Sequence, residues 1–184
     1  IAVQFKLIMI DLNTMNEWQR RCSETGLVMP WYTKSFLDEL VTWDISDKVV
    51  IEVGGGASSL WWNEKAKHVV TIEANKEYYE ELKRFGISIA LVDDIPELKD
   101  LVANALDNVD IVIIDCDPVE WRDACVQPAI ACLKPGGKLI IDNWDQPSVW
   151  VPSDETRALL APYPCNIYRQ IGHPDWQTAC FVIQ

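Results

Sequence analysis

Val49-Val50-Ile51-Glu52-Val53-Gly54-Gly55-Gly56-Ala57-Ser58-Ser59-Leu60-Trp61-Trp62 is the stretch on which the reading of the chain turns. It opens as a short apolar run rich in β-branched residues, the composition of a buried strand. Three glycines then end the strand, and Ser58-Ser59 can cap a helix running on through Leu60 and Trp61. A strand, a glycine turn and a helix N-terminus together make a place where a ligand lies against bare backbone. Glycine permits the unusual dihedrals and the close approach, and the helix end offers unpaired N–H groups. A glycine run alone is a weak signal, because many tight turns use two or three glycines.

Glu52, two positions before the first glycine, sharpens it. A dinucleotide fingerprint would place glycines at 54, 56 and 59, where the chain has Ser59, and it asks for no acid at 52. The stretch resembles the first motif of class I S-adenosylmethionine-dependent methyltransferases, acidic-x-Gly-x-Gly-x-Gly. Glu52, Gly54 and Gly56 match, and Ser58 replaces the last glycine. The longer string through Trp62 is similar to a subgroup of small, mostly uncharacterised methyltransferases that carry Ser there. The resemblance spans roughly residues 30–184.

Length and composition set bounds. A chain of 184 residues forms one domain with a proper core. Its 49% hydrophobic content and mean hydropathy of −0.02 are those of a soluble globular protein. A net charge of −12 argues against nucleic acid and anionic membrane surfaces as partners, since little would neutralise phosphates. The six cysteines form no C-x-x-C pair and read as reduced core thiols of a cytoplasmic protein. Residues 1–10 are apolar but too short to span a membrane, and are expected to be a strand or extended arm.

Residues 13–21 and 34–43 read as helices, the second with Phe36, Leu37, Leu40 and Val41 on one stripe. The aromatic loop between them, Met29 to Tyr32, is either packing or a lid. The helix after the glycines is expected to end near Lys67, with a second strand over 69–72 ending in Glu73. Nineteen residues separate Gly54 from Glu73, which suits one βαβ step. Further elements are a helix over 76–85 capped by Asn75, a strand over 87–92 closed by Asp93-Asp94, and a helix over 96–106. A strand over 110–114 then delivers Asp115 and Asp117. A helix from Glu120 carries Pro128, expected to kink it. Lys134-Pro135-Gly136-Gly137 reads as a turn before a strand over 138–141 that ends at Asp142-Asn143. Strands over 166–171 and 178–183 flank the turn 172–175 and are expected to be antiparallel.

In open α/β sheets ligands bind beyond the carboxyl ends of the strands. Those ends carry Glu52, Glu73, Asp93/Asp94, Asp115 with Asp117, and Asp142 with Asn143. Methyl transfer needs alignment of nucleophile, methyl and sulfur, and sometimes removal of a proton. The resemblance implies a Rossmann-like seven-stranded sheet, mostly parallel with a C-terminal antiparallel hairpin and helices on both faces. It implies a single domain, residues 1–45 forming an arm and cap helices and 46–184 the cofactor-binding core. S-adenosylmethionine would be held by Glu52, Gly54, Gly55, Gly56 and Ser58 at its methionine portion and by Glu73 with Ala74 at the ribose. Asp93 or Asp94 would meet the adenine, with Asp94 aligning slightly better, and Asp115 would border the cofactor. Asp115, Asp142 and Asn143 would act on a small-molecule acceptor, on oxygen rather than nitrogen.

Catechol-type O-methyltransferases bind magnesium through an Asp ending the fourth strand and an Asp-Asn pair ending the fifth, and Asp115, Asp142 and Asn143 match in type and order. Their lysine base, however, falls at Pro118 here, and the reading adopted has no metal ligand. Trp121, Trp144 and Trp150 read as core packing before an aromatic acceptor wall, His173 as a turn residue and His68 as structural. The competing readings are aminopropyl transfer on the same fold, for which the acid-rich pattern is only partly met by Asp115-Cys116-Asp117, and a nucleoside-binding domain without turnover. The oligomeric state is not legible.

Overall fold

The computed structural model describes residues 29–184; the arm over 1–10 and the helix over 13–21 lie outside the described residues. Helix α1 (Lys34–Leu40) leads into β1 (Val49–Val53), α2 (Ala57–Lys65), β2 (His68–Glu73), α3 (Lys76–Arg84) and β3 (Ile89–Leu91). Then come α4 (Ile95–Asn104), β4 (Val109–Ile114), α5 (Arg122–Cys132), β5 (Leu133–Asp142), α6 (Asp154–Leu160), β6 (Cys165–Gln170) and β7 (His173–Val182). One seven-stranded sheet results, in the order β3-β2-β1-β4-β5-β7-β6. The strands β1 to β5 pair in parallel and β7 runs antiparallel between β5 and β6.

The central strands are apolar throughout because the sheet is covered on both faces. Ile51 and Val53 of β1, Val112 and Ile114 of β4, and Leu139 and Ile141 of β5 point into the core shared with α4, α5 and α6. The alternate residues Val50, Ile111, Ile113 and Ile140 point into the core built by α1 and α2, with Phe36, Leu40, Trp61 and Trp62. Two-residue alternation thus serves two apolar layers. Truncating one of these fully buried isoleucines to alanine costs about 2–5 kcal/mol.

Several boundaries differ from the sequence expectation. The helix after the glycines starts at Ala57, with Gly56 as its N-cap, so Ser58 and Ser59 lie buried in its first turn. Residues 134–137 form no turn before β5. They bulge within the strand, since Val109 pairs with Leu133 and Ile111 already with Lys138. Asp110, opposite the bulge, accepts from the Val49 N–H at 2.9 Å and pairs with Lys134, which gives the extra residues a polar anchor. The last hairpin is tighter than expected: β6 ends at Gln170, β7 begins at His173, and Gly172 turns between them at φ +82°. Pro128 lies inside α5 without ending it. Trp144 and Trp150 are core residues, edge-to-face with each other at 5.8 Å. His68 and His173 are exposed strand starts. Cys116, Cys125 and Cys180 are buried free thiols, while Cys165 is exposed. No helix among the described residues is long and apolar enough to cross a membrane.

Candidate functional site

Strand order reverses between β1 and β4, and the loops leaving these two strands therefore part to opposite faces and open a crevice. The glycine loop occupies one side of it. Gly54 has φ +94°, and a Cβ placed there would lie 2.3 Å from the carbonyl oxygen of Asp115. Backbone conformation and the closeness of the β4 end both demand glycine. The Gly54 N–H donates to Ile72 O at 2.8 Å and the Asp115 N–H to Val53 O at 2.8 Å, so both neighbouring strands pin the loop. Gly55 is crowded on the other side by Leu82 and Glu73, whereas a Cβ on Gly56 would meet nothing within 4 Å. The open side of the loop is at Gly56, where α2 begins and its first N–H groups lack helical partners.

Two acids brace this loop from different strands. Glu73, ending β2, accepts from the Gly55 N–H at 2.6 Å and from the Asn75 N–H at 2.6 Å. It is nearly buried, and burial pushes its carboxyl above the usual range against the pull of these backbone donors. Ala74 beside it is half-buried. Glu52 lies wholly inside, on the β1 face that packs against α2. Its Oε2 accepts from the hydroxyls of Ser59 at 2.5 Å and Thr71 at 3.0 Å, and Ser59 Oγ in turn accepts from the Gly56 N–H at 3.0 Å. Its Oε1 is buried without a hydrogen-bond partner among the described residues. Burial raises this carboxyl to about 7, offset in part by the hydroxyl donors. Glu52 was expected at the methionine portion of a ligand; its place beneath the loop makes it a brace for Gly56 and α2, closed off from the crevice.

At the end of β3, Asp94 is the N-cap of α4, its Oδ1 accepting from the Glu97 N–H at 2.8 Å. Asp93 is exposed and its carboxylate takes no part in the cap; only its N–H is engaged, donating to Glu97 Oε2 at 3.3 Å. Both aspartates are exposed; the cap engages Oδ1 of Asp94, which the sequence favoured, while the Asp93 carboxylate makes no hydrogen bond among the described residues.

The ends of β4 and β5 converge on Arg122, the first residue of α5. Its Nη2 donates to Asp115 Oδ1 at 2.9 Å, its Nη1 to Asp142 O at 2.6 Å and to Asn143 Oδ1 at 3.4 Å, and its Nε to Cys116 O at 3.0 Å. Burial raises the Asp115 carboxyl, and the Arg122 charge draws it back. Asp115 remains 29% exposed, so one side of the carboxylate is open. Asp117 lies further out on the surface. Asp142 is turned the other way. Its Oδ1 accepts from Thr178 Oγ1 at 2.5 Å and its Oδ2 from Trp176 Nε1 at 3.3 Å, and burial pushes its carboxyl up to about 8. Expected to face an acceptor with Asp115 and Asn143, Asp142 is instead enclosed by β7. Asn143 is held at φ +51°.

The segment before α1 closes over the same strand ends. The Thr33 N–H and hydroxyl both donate to Thr178 Oγ1 at 3.1 Å, extending the chain Thr33–Thr178–Asp142. Tyr32 is buried and its hydroxyl accepts from Trp62 Nε1 at 3.1 Å, while Trp31 is half-exposed. Of the two aromatics, Tyr32 is core and only Trp31 is free to cover a ligand.

The oxygen set that a divalent ion would need does not fit one. Arg122 already spans Asp115 and Asn143, the Asp142 carboxylate points elsewhere, and no group of three or more His, Cys, Asp or Glu among the described residues could hold a metal. Arg122, Thr178 and Thr71 were not singled out in the sequence, and Ser59 was read only as a helix cap. Each supplies a partner across 7 to 36 positions, and no local pattern marks such a pairing.

No family model matches the chain, and no curated protein matches it. Solved structures do. The O-methyltransferase TomG from Streptomyces achromogenes, in complex with S-adenosylmethionine, is 17% identical with a TM-score of 0.59, covering 90% of this chain and 87% of that one. A SAM-dependent methyltransferase from Aquifex aeolicus is 13% identical with a TM-score of 0.58, covering 88% of this chain and 97% of the other. An rRNA methylase from Streptococcus thermophilus is 17% identical with a TM-score of 0.54, covering 80% and 93%. The chain therefore has the class I S-adenosylmethionine-dependent methyltransferase fold, with the glycine loop, Glu73 and Asp115 at the switch point of its sheet.

Proposed function

We propose that the chain transfers the methyl group of S-adenosylmethionine to the oxygen of a small-molecule acceptor. The observation that carries this reading is the grip of Glu73 on the Gly55 N–H at 2.6 Å, because it sets a strand-end carboxylate against a glycine loop and a helix N-terminus at the switch point. These three elements suit a nucleoside bearing an amino-acid tail. Gly54 to Gly56 and Ser58 would take the methionine portion, Glu73 with Ala74 the ribose, and Asp93 the adenine. When bound, the cofactor supplies a methyl group already activated on a sulfonium. Carboxylates around the crevice favour its positive charge.

What this chain adds is position and a proton acceptor. Asp115, fixed by Arg122 at one oxygen and open at the other, would take the proton from an acceptor hydroxyl. Asn143, just after β5, would orient the acceptor. The net charge of −12 supports a small acceptor over RNA, although an rRNA methylase shares the fold.

The test is transfer of labelled methyl from S-adenosylmethionine into a fractionated cell extract. Label in the small-molecule fraction is expected, reduced about 10²–10⁴-fold by Asp115→Asn with cofactor affinity kept. Label confined to RNA or protein, or no transfer into any fraction, contradicts it.

A further inference from the structure

Arg122 is a buried cation at the acceptor side, and cofactor binding gives no reason for it. Its side chain is 4% exposed and its donors reach the ends of two strands: Cys116 O and Asp115 Oδ1 after β4, Asp142 O and Asn143 Oδ1 after β5. We propose that Arg122 is the resident cation of this site, a positioning residue that stands between Asp115 and Asn143 where a divalent ion would have to stand and leaves the second oxygen of Asp115 to the crevice. The inference rests on the methyl-transfer reading.

Three observations support it. First, Asp115 and Asn143 each turn a side-chain oxygen to the guanidinium, at 2.9 and 3.4 Å, so those two oxygens already face a cation. Second, Asn143 is held from its other end as well, its Nδ2 donating to Gln146 Oε1 at 3.0 Å, in a left-handed backbone conformation that asparagine tolerates better than most residues. Third, the Asp142 carboxylate, which a metal would recruit, is taken by Thr178 and Trp176. A hard divalent cation needs several oxygens converging on one point. Here the oxygens converge on a planar fork, which keeps its charge at any working pH and fixes direction as well as sign. A clasp between strands alone would require only the two backbone acceptors, Cys116 O and Asp142 O. The further bonds to Asp115 and Asn143 link it to the groups at the crevice.

The test is a titration of the full chain with Mn²⁺ followed by electron paramagnetic resonance, alongside calorimetric binding of S-adenosylhomocysteine in magnesium and in chelator. The wild type is expected to leave Mn²⁺ free and to bind S-adenosylhomocysteine equally in both buffers. Arg122→Ala removes the charge and leaves its oxygens unpaired, so Mn²⁺ affinity should rise at least about tenfold over the wild type. Arg122→Lys keeps a cation and should stay like the wild type. Stoichiometric Mn²⁺ binding by the wild type that disappears in Asp115→Asn overturns the proposal, as does an Arg122→Ala protein with native circular dichroism and no gain in Mn²⁺ affinity. Should Arg122→Ala not fold, the wild-type and Arg122→Lys titrations still decide, because uptake of Mn²⁺ by either contradicts a resident cation and its absence in both supports one. Failure to bind S-adenosylhomocysteine under any condition is a separate outcome, which removes the methyl-transfer reading and with it the role assigned to Arg122.

Discussion

Gly54 and Asp115 meet backbone to backbone across the switch point: a Cβ on Gly54 would stand 2.3 Å from the Asp115 carbonyl oxygen, and the residue is at φ +94°. The glycine loop and the end of β4, to which the proposed function assigns the cofactor and the acceptor, are therefore one rigid contact. Gly54→Ala cannot be absorbed by a side-chain movement. Strain of about 1–3 kcal/mol at the dihedral alone, with the clash added, should lower the melting temperature by several degrees and abolish S-adenosylhomocysteine binding. Gly56→Ala is the contrasting variant. An added Cβ there meets nothing within 4 Å, so the stability loss should be limited to about 1 kcal/mol, that of alanine in place of an N-cap glycine, while affinity falls, because the new methyl occupies the open side of the loop. Scanning calorimetry and ligand titration on both variants check this.

The two aspartates ending β3 should separate stability from binding. Asp94 caps α4, and Asp94→Ala is expected to cost about 1 kcal/mol by urea unfolding with little change in cofactor affinity. Asp93→Ala should do the reverse, weakening S-adenosylhomocysteine while leaving the unfolding midpoint in place.

Glu52 makes the protein less stable as pH rises. Its carboxyl titrates at about 7 in the fold against an ordinary value of 4.5, so the folded state keeps a proton that the unfolded chain gives up. The penalty is absent below about 4.5, grows as pH climbs to about 7 and is constant above. Glu52→Gln keeps an acceptor for Ser59 and Thr71 and cannot ionise. Unfolding in urea should show variant and wild type nearly alike at pH 5, and the variant more stable by a few kcal/mol at pH 8. An unchanged difference between the two pH values would mean that Glu52 is not the titrating group. Asp142, pushed up to about 8, acts in the same direction in both proteins and cancels in the comparison.

Tyr32 is tied to α2 through a single polar contact, Trp62 Nε1 donating to its hydroxyl at 3.1 Å. Tyr32→Phe leaves that indole N–H buried and unpaired, at a cost of about 1–3 kcal/mol seen as a lower urea midpoint.

The sheet was legible because its signals are local. The run from Val49 to Val53, the glycines behind it and the repeated apolar run over Val109–Ile114 each state their element within a few residues. The acids at the strand ends were legible for the same reason: a strand places its last residue at the edge of the sheet. What each acid does was not. Glu52 and Asp142 read as ligand groups, yet Ser59, Thr71 and Thr178 enclose them, and these partners arrive from other strands and helices. The cap that Asp94 gives α4 went unread, although Glu97 three residues on is its local sign. The bulge over residues 134–137 looked like a turn because Pro-Gly-Gly serves either; only its pairing across Asp110 decides.

Calorimetric titration of S-adenosylmethionine, S-adenosylhomocysteine and NAD tests the cofactor assignment most directly. Micromolar binding of the first two is expected, with no NAD binding, and Glu73→Ala should weaken it at least about tenfold. Binding of NAD alone, or of none of the three, would contradict methyl transfer from S-adenosylmethionine and leave the fold without this function.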